Sequence, residues 1–215
     1  MELMLAISGQ AGDTKLRGRV RGAFMRPMSL RLEGLSPFGP PGFVLVTGVD
    51  SALLLLPRER HVIMDATGQD LLEFLAGVAL APEDFGAVLT GCLVPDPNPL
   101  RARTFGNGWV GVDLEGDATL FLHEVDGIPV VVAGQRNGIL VEYHNHERGL
   151  PRSVQVQTTS SSQAVTNLSV TLSQVSINID IDDRAFLMEA PDQFSPITIE
   201  ELRNTVVPLE DLSNP

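Results

Sequence analysis

Cysteine is almost missing from this chain. Cys92 stands alone among 215 residues, which excludes any intramolecular disulfide. Aromatic residues are also scarce, at 5 %, so a core has to be built mostly from Leu, Val, Ile and Ala. No apolar run reaches the roughly 18 residues of a membrane-spanning helix, so no transmembrane segment is expected. Basic charge is short as well: 15 Lys and Arg face 27 Asp and Glu, a net charge of −12. A nucleic-acid binder needs a cationic surface to replace counterions, so no nucleic acid is expected as a partner. There is no Gly-x-Ser-x-Gly elbow, no phosphate loop and no Cys-x-x-Cys pair. No enzymatic activity, cofactor or metal is therefore expected. No repeat of fixed period emerges. The opening run Met1–Gln10 lacks the basic leader of a signal peptide.

What is present suits one sizeable core. Apolar residues make up 43 % of the chain, too many for disorder, and the length predicts a single domain over 1–215. Charge is unevenly spread. Lys15, the only lysine, and Arg17, Arg19, Arg21, Arg26 and Arg31 crowd the first strands, whereas acids dominate from Val154 onward.

Gly and Pro punctuate the first third, and the runs between them are strand-like. Leu3–Ser8 is apolar, and Ala11-Gly12-Asp13 turns it. Leu16–Phe24 then alternates strictly, with Lys15, Arg17, Arg19 and Arg21 on one face and Leu16, Gly18, Val20 and Gly22 on the other. A period of two means a strand with one wet face. Ser29–Glu33 alternates again, and Ser36-Pro-Phe-Gly-Pro-Pro-Gly42 is a rigid loop. Phe43–Val49, the turn Asp50-Ser51 and Ala52–Leu56 read as a hairpin, followed by a short strand His61–Met64.

The period changes at Gly68. Gln69–Ala76 sets Leu71, Leu72, Phe74 and Leu75 at helical spacing, and Val78 follows. Pro82, with Glu83 and Asp84 beside it, opens a second helix that carries Phe85, Val88 and Leu89 and ends at Gly91. Pro95-Asp-Pro-Asn-Pro99 cannot be helix. Strands are predicted to resume from about Arg103 and to include Thr119–His123, Pro129–Ala133, Ile139–His146, Ser153–Thr158, Asn167–Gln174, Val175–Ile181 and Phe186–Ala190. Asp126-Gly127 and Asn137-Gly138 are hairpin turns, Thr158–Ser162 reads as an exposed hairpin tip, and Ile199–Arg203 as a terminal helical turn. The fold class is thus mainly β (α+β). A single curved antiparallel sheet, or half-open β-barrel, of about ten to twelve strands is expected, with short helices as a lid over about 68–91.

The order of motifs resembles a known family. Leu16-Arg-Gly-Arg-Val-Arg-Gly-Ala-Phe24, Ser29-Leu-Arg-Leu-Glu33 and Ser36-Pro-Phe-Gly-Pro-Pro-Gly-Phe43 resemble bacterial envelope lipoproteins of the LolA/LolB-like localisation-factor superfamily. Within it, the chain resembles the LolB-like outer-membrane insertion factors. Leu53–Arg60, Leu80–Leu89, Leu172–Asn178, Asp182…Phe186 and Ile199-Glu-Glu-Leu202 fall in step with it. The resemblance implies a half-open barrel with a helical lid over an apolar hollow that takes acyl chains of lipid or lipoprotein. It implies the periplasm or the periplasmic face of the outer membrane, and a role in lipoprotein localisation. Members usually begin with a leader, a lipidated Cys and a helix; this sequence starts at the first strand. The family also carries a projecting loop with an exposed apolar residue, for which Phe38 is a candidate by position. The plainer reading packs Phe38 inward.

Candidate site residues follow. Leu71, Leu72, Phe74, Leu75, Val78, Phe85, Val88 and Leu89 would line the lid side of a hollow. Arg17, Arg19, Arg21 and Phe38 would meet a membrane or a partner, the alternative being a solvated strand face that discourages aggregation. A filled core would instead make the chain an interaction module for another envelope protein. Three further motifs have structural readings. Leu89-Thr90-Gly91-Cys92 looks like a lipobox but follows acids, not a basic apolar leader. Glu142-Tyr-His-Asn-His-Glu147 offers His and Glu ligands or simply a polar strand end. Asp182 near Asp180 and Asp183 suits a helical cap better than a calcium loop.

Overall fold

The structure is a computed structural model and describes residues 1–26, 29–48, 51–158 and 165–204. Its first half is a meander of β1 (Glu2–Ala11), β2 (Thr14–Met25), β3 (Ser29–Leu35), β4 (Phe43–Thr47), β5 (Ala52–Leu56) and β6 (His61–Ile63). Two helices follow, α1 (Gly68–Ala76) and α2 (Pro82–Thr90). The second half contains β7 (Pro99–Thr104), β8 (Val110–Leu114), β9 (Ala118–Val125), β10 (Ile128–Arg136), β11 (Ile139–His144), β12 (Ser153–Thr158) and β13 (Thr166–Ser176). The short β14 (Ser195–Pro196) and helix α3 (Ile199–Arg203) end the described chain.

All strands join one sheet in the order β14-β6-β5-β4-β3-β2-β1-β13-β12-β11-β10-β9-β8-β7. The two meanders meet where β1 pairs antiparallel with β13, in register from Met4↔Ser173 to Ala11↔Thr166. Every pairing is antiparallel except β14 with β6, which is parallel. The sheet has fourteen strands, more than the sequence pattern suggests, because β7, β8 and β14 are short or polar. Asp126-Gly127 and Asn137-Gly138 do make hairpins. All four residues have positive φ, the geometry of the tight turn that matches strand twist.

The sheet must curl. Each lid helix has nine residues and is only about 13 Å long, whereas fourteen strands laid flat would span about 60 Å. Yet one apolar cluster contains Ile63 of β6, both helices and Leu114, Ala118 and Leu120 of β8 and β9. The sheet is curved and unclosed, with the helices on its inner face.

Two expected strands are absent. Val175–Ile181 keeps a period of two, but β13 ends at Ser176, opposite the start of β1 at Glu2. Beyond that point no strand remains to pair with it. Phe186–Ala190 is not a strand either: Asp182 caps a 3-10 turn, Asp183–Phe186, by accepting a hydrogen bond from the Arg184 N–H. That turn carries Phe186 onto the outer face of β4–β6, against Val44, Val46, Leu55 and Val62. So β4, whose five residues are all buried, is covered on both sides. Asp50 of the expected turn and residues 159–162 of the expected hairpin tip lie outside the described residues.

Candidate functional site

The lid forms because its ends are well capped. Thr67 accepts from the Asp70 N–H at 3.1 Å while Asp70 accepts from the Thr67 N–H at 3.1 Å, a reciprocal box that satisfies two first-turn donors. The Thr67 hydroxyl, which donates to the Asp70 carboxylate at 2.6 Å, and then the Thr67 N–H hold that carboxyl below its ordinary range. Gly77 ends α1 with φ 68, and its N–H reaches the Glu73 carbonyl. A Cβ there would stand 2.3 Å from that of Ala11, so the helix end sits directly on β1. Pro82 starts α2, and Gly91 ends it with φ 87. The inner faces of both helices are apolar. Leu71, Leu72, Leu75, Val78, Val88 and Leu89 are buried, and Phe74 and Phe85 are half-buried against the same cluster. The structure thus brings all eight predicted lid residues together.

Between lid and sheet the packing is incomplete. One apolar cavity of about 40 Å³ lies among Leu32, Phe43, Leu75 and their neighbours. Another, of about 50 Å³, lies among Val88, Leu89, Val156, Leu168 and Val170. Both touch Leu5, Ile7, Leu72, Ala76 and Phe85, so these five side chains are the partition between them. Neither volume approaches the roughly 300–1,000 Å³ of a ligand pocket. In this conformation the lid is shut.

Three contacts hold it there. Phe85 stacks on Phe24 with ring centroids 5.8 Å apart. Thr166 donates its hydroxyl to the Gly77 carbonyl at 2.8 Å. Arg136 at the end of β10 pairs with Asp84 of α2 at 2.9 Å, both side chains mostly buried. Near Cys92, just past the end of α2, Tyr143 is 2 % exposed, and among the described residues its hydroxyl has no hydrogen-bond partner. Burial, and then the nearby Cys92, push that phenol above its ordinary range. The strand partners Val156, Leu168 and Val170 and the Asp84–Arg136 pair were not among the predicted site residues. The alternation of β12 and β13 marks which of their residues face inward; nothing local marks the ion pair, which joins residues 84 and 136.

On the outer face, Arg17, Arg19 and Arg21 are exposed as the alternation predicts. Arg21 approaches Glu33 at 3.9 Å. Arg17 and Arg19 instead line an open depression of about 620 Å³ with Ser8, Thr171 and the start of the Ser36–Gly42 loop. Phe38, at the tip of that loop, is 86 % exposed and so does not pack inward. Ser36 donates to the Phe38 carbonyl at 2.7 Å and accepts from Arg58, which fixes the loop. The two histidines of the 142–147 segment diverge: His144 lies 4.0 Å from Glu142, whereas His146 contacts the Val131 carbonyl at 2.9 Å. Among the described residues no cluster of three or more His, Cys, Asp or Glu could hold a metal ion. No helix among them is long and apolar enough to cross a membrane.

This curled sheet with two lid helices is the architecture of the LolA-like fold. The structure matches a LolA superfamily protein of Nitrosomonas europaea with a TM-score of 0.56 and 13 % identity, over 87 % of this chain and 89 % of that one. It matches an outer-membrane lipoprotein-sorting protein domain, described as putative, of Vibrio parahaemolyticus with a TM-score of 0.52 and 12 % identity, over 86 % and 87 %. No family model and no curated protein matches the sequence. At such identities the likeness establishes the fold.

Proposed function

We propose that the protein binds acyl chains of a lipid or lipoprotein between the lid helices and the inner sheet face. It does so without catalysis, in lipoprotein localisation or outer-membrane biogenesis at the periplasmic side of the envelope. The observation that carries this reading is the pair of apolar cavities divided only by Leu5, Ile7, Leu72, Ala76 and Phe85. Lifting α1 and α2 merges them into one apolar cleft. Burial of each methylene there contributes about 0.8 kcal/mol, so a chain of about ten is held by roughly 8 kcal/mol of apolar burial without any polar chemistry. The names of the two fold neighbours, one in the LolA superfamily and one in lipoprotein sorting, support the same class. Phe38 then serves as the projecting apolar contact.

The small volumes favour a second reading, an envelope interaction module with a filled core. Uptake of a fluorescent fatty acyl probe separates the two. In the carrier reading, Asp84→Ala frees the lid from Arg136 and speeds uptake. A folded protein that takes up no probe, with or without that change, leaves the interaction module.

A further inference from the structure

The outer face of the sheet carries a feature that the acyl-binding reading does not use. The protein has a net charge of −12, yet the depression of about 620 Å³ across β13, β1, β2 and the β3–β4 loop is lined by Arg17 and Arg19 and, among the described residues, by no carboxylate. A second depression of about 270 Å³ adjoins it across Arg19, lined by Met4, Ala6, Ser173 and Gln174, again with no acid. Among the described residues neither guanidinium has an ion-pair partner, unlike Arg21 and Arg31, which both turn to Glu33. The two side chains are two residues apart on one strand face, so they stand side by side about 7 Å apart. Ser8 and Thr171 add exposed hydroxyls. Folding requires none of this, since Leu16 and Val20 supply the buried face of the same strand.

We propose that this basic depression docks the protein on the surface of an anionic phospholipid bilayer, with Arg17 and Arg19 each taking a lipid phosphate. Guanidinium forks match phosphate oxygens, and neighbouring hydroxyls donate to the same group. The rim decides between a membrane and an acidic protein. Phe38 stands 86 % exposed beside the depression, on a loop that Arg58 and Ser36 hold in place. Cations flanking a bare aromatic ring suit the boundary between headgroups and acyl chains. Among the described residues no acid lines either depression, and carboxylates elsewhere on the surface are repelled by an anionic bilayer, so the docked orientation is set by this patch.

The test is co-sedimentation of the full chain with vesicles of phosphatidylcholine alone and of phosphatidylcholine with phosphatidylglycerol. The protein binds only the second kind, and less as salt rises. The double variant Arg17→Glu/Arg19→Glu binds at least about tenfold more weakly, while Arg101→Glu, on the exposed edge strand, binds as the parent does. Phe38→Ser weakens binding with the salt dependence kept. Equal binding to both vesicles overturns the proposal, as does equal loss in Arg101→Glu. Capture of soluble poly-glutamate but not of anionic vesicles also overturns it, in favour of an acidic protein. Acyl-probe uptake by Arg19→Glu alone, at a residue that lines neither inner cavity, stays at the parent level, so loss of uptake with retained docking counts against the hollow and not against this surface.

Discussion

On its inner side β2 buries Leu16 and Val20 under the lid; on its outer side Arg17, Arg19 and Arg21 point into solvent. Only one of these faces is needed to fold. The inner face belongs to the cluster that joins nearly every strand to both helices. Among the described residues the outer face of β2 makes one long ion pair, Arg21 with Glu33. Four strands away, β6 contrasts with this, because there the outer face is covered too, by the segment that carries Phe186. The chain thus uses the segment around Phe186 to cover β4–β6 and the far end of β2 at Ala23 and Met25, and leaves Arg17, Arg19 and Arg21 exposed. A bare face that keeps its charge while the neighbouring face is covered is free to serve contact, and the inner face is free to serve only what can enter beneath the lid.

Substitutions on the two faces should differ in proportion. Leu72, 1 % exposed and touching both cavities, has the largest predicted effect. Leu72→Ala should cost about 2–5 kcal/mol in denaturant unfolding, because it enlarges voids that already exist. Next is Gly77→Ala, which forces a side chain into the left-handed region and onto Ala11. A loss of more than ~1 kcal/mol is expected, and a neutral result would mean that the end of α1 is not seated on β1. On the outer face, Arg17→Ala/Arg19→Ala should change stability by no more than about 0.5 kcal/mol in the same measurement.

The smallest effect belongs to acid. Asp70 is held below its ordinary value of 3.8 by Thr67. Its folded state therefore binds a proton less readily than the unfolded chain. The cap is intact at pH values above 3.8, and its stabilisation is lost as pH falls through the lower folded value. Asp70→Asn should reduce the difference in melting temperature between pH 7 and pH 3, and an unchanged difference would mean that the cap contributes nothing.

Much of this was legible in the sequence, and the residues show why. Strict alternation in Leu16–Phe24 marked both faces of β2, and Pro82 and Gly91 bounded α2, because local chemistry decides these features. The strand expected at Val175–Ile181 failed for a non-local reason: a strand needs a neighbour, and β1 has none left to offer beyond Glu2. The edge strand β7 begins at Pro99, and all six of its residues are exposed, so no buried face gave it a period. Phe186 looked like a strand residue because it is apolar; its place on β4–β6 depends on Asp182 turning the chain first. Among site residues, the apolar lid was readable from helical spacing, while the Asp84–Arg136 tie and the partition between the cavities exist only once the sheet has curled.

The central claim is that the space beneath the lid admits an acyl chain. Leu75 is 6 % exposed and lines the smaller cavity. The most direct measurement is titration of a fluorescent fatty acyl probe into the protein and into Leu75→Trp, with unfolding of both followed in parallel. The account predicts saturable uptake by the parent and strongly reduced uptake by the variant, with a stability change of about 1–3 kcal/mol or less. Uptake that the tryptophan leaves unchanged would place the probe elsewhere. A folded parent that takes up none would contradict the account.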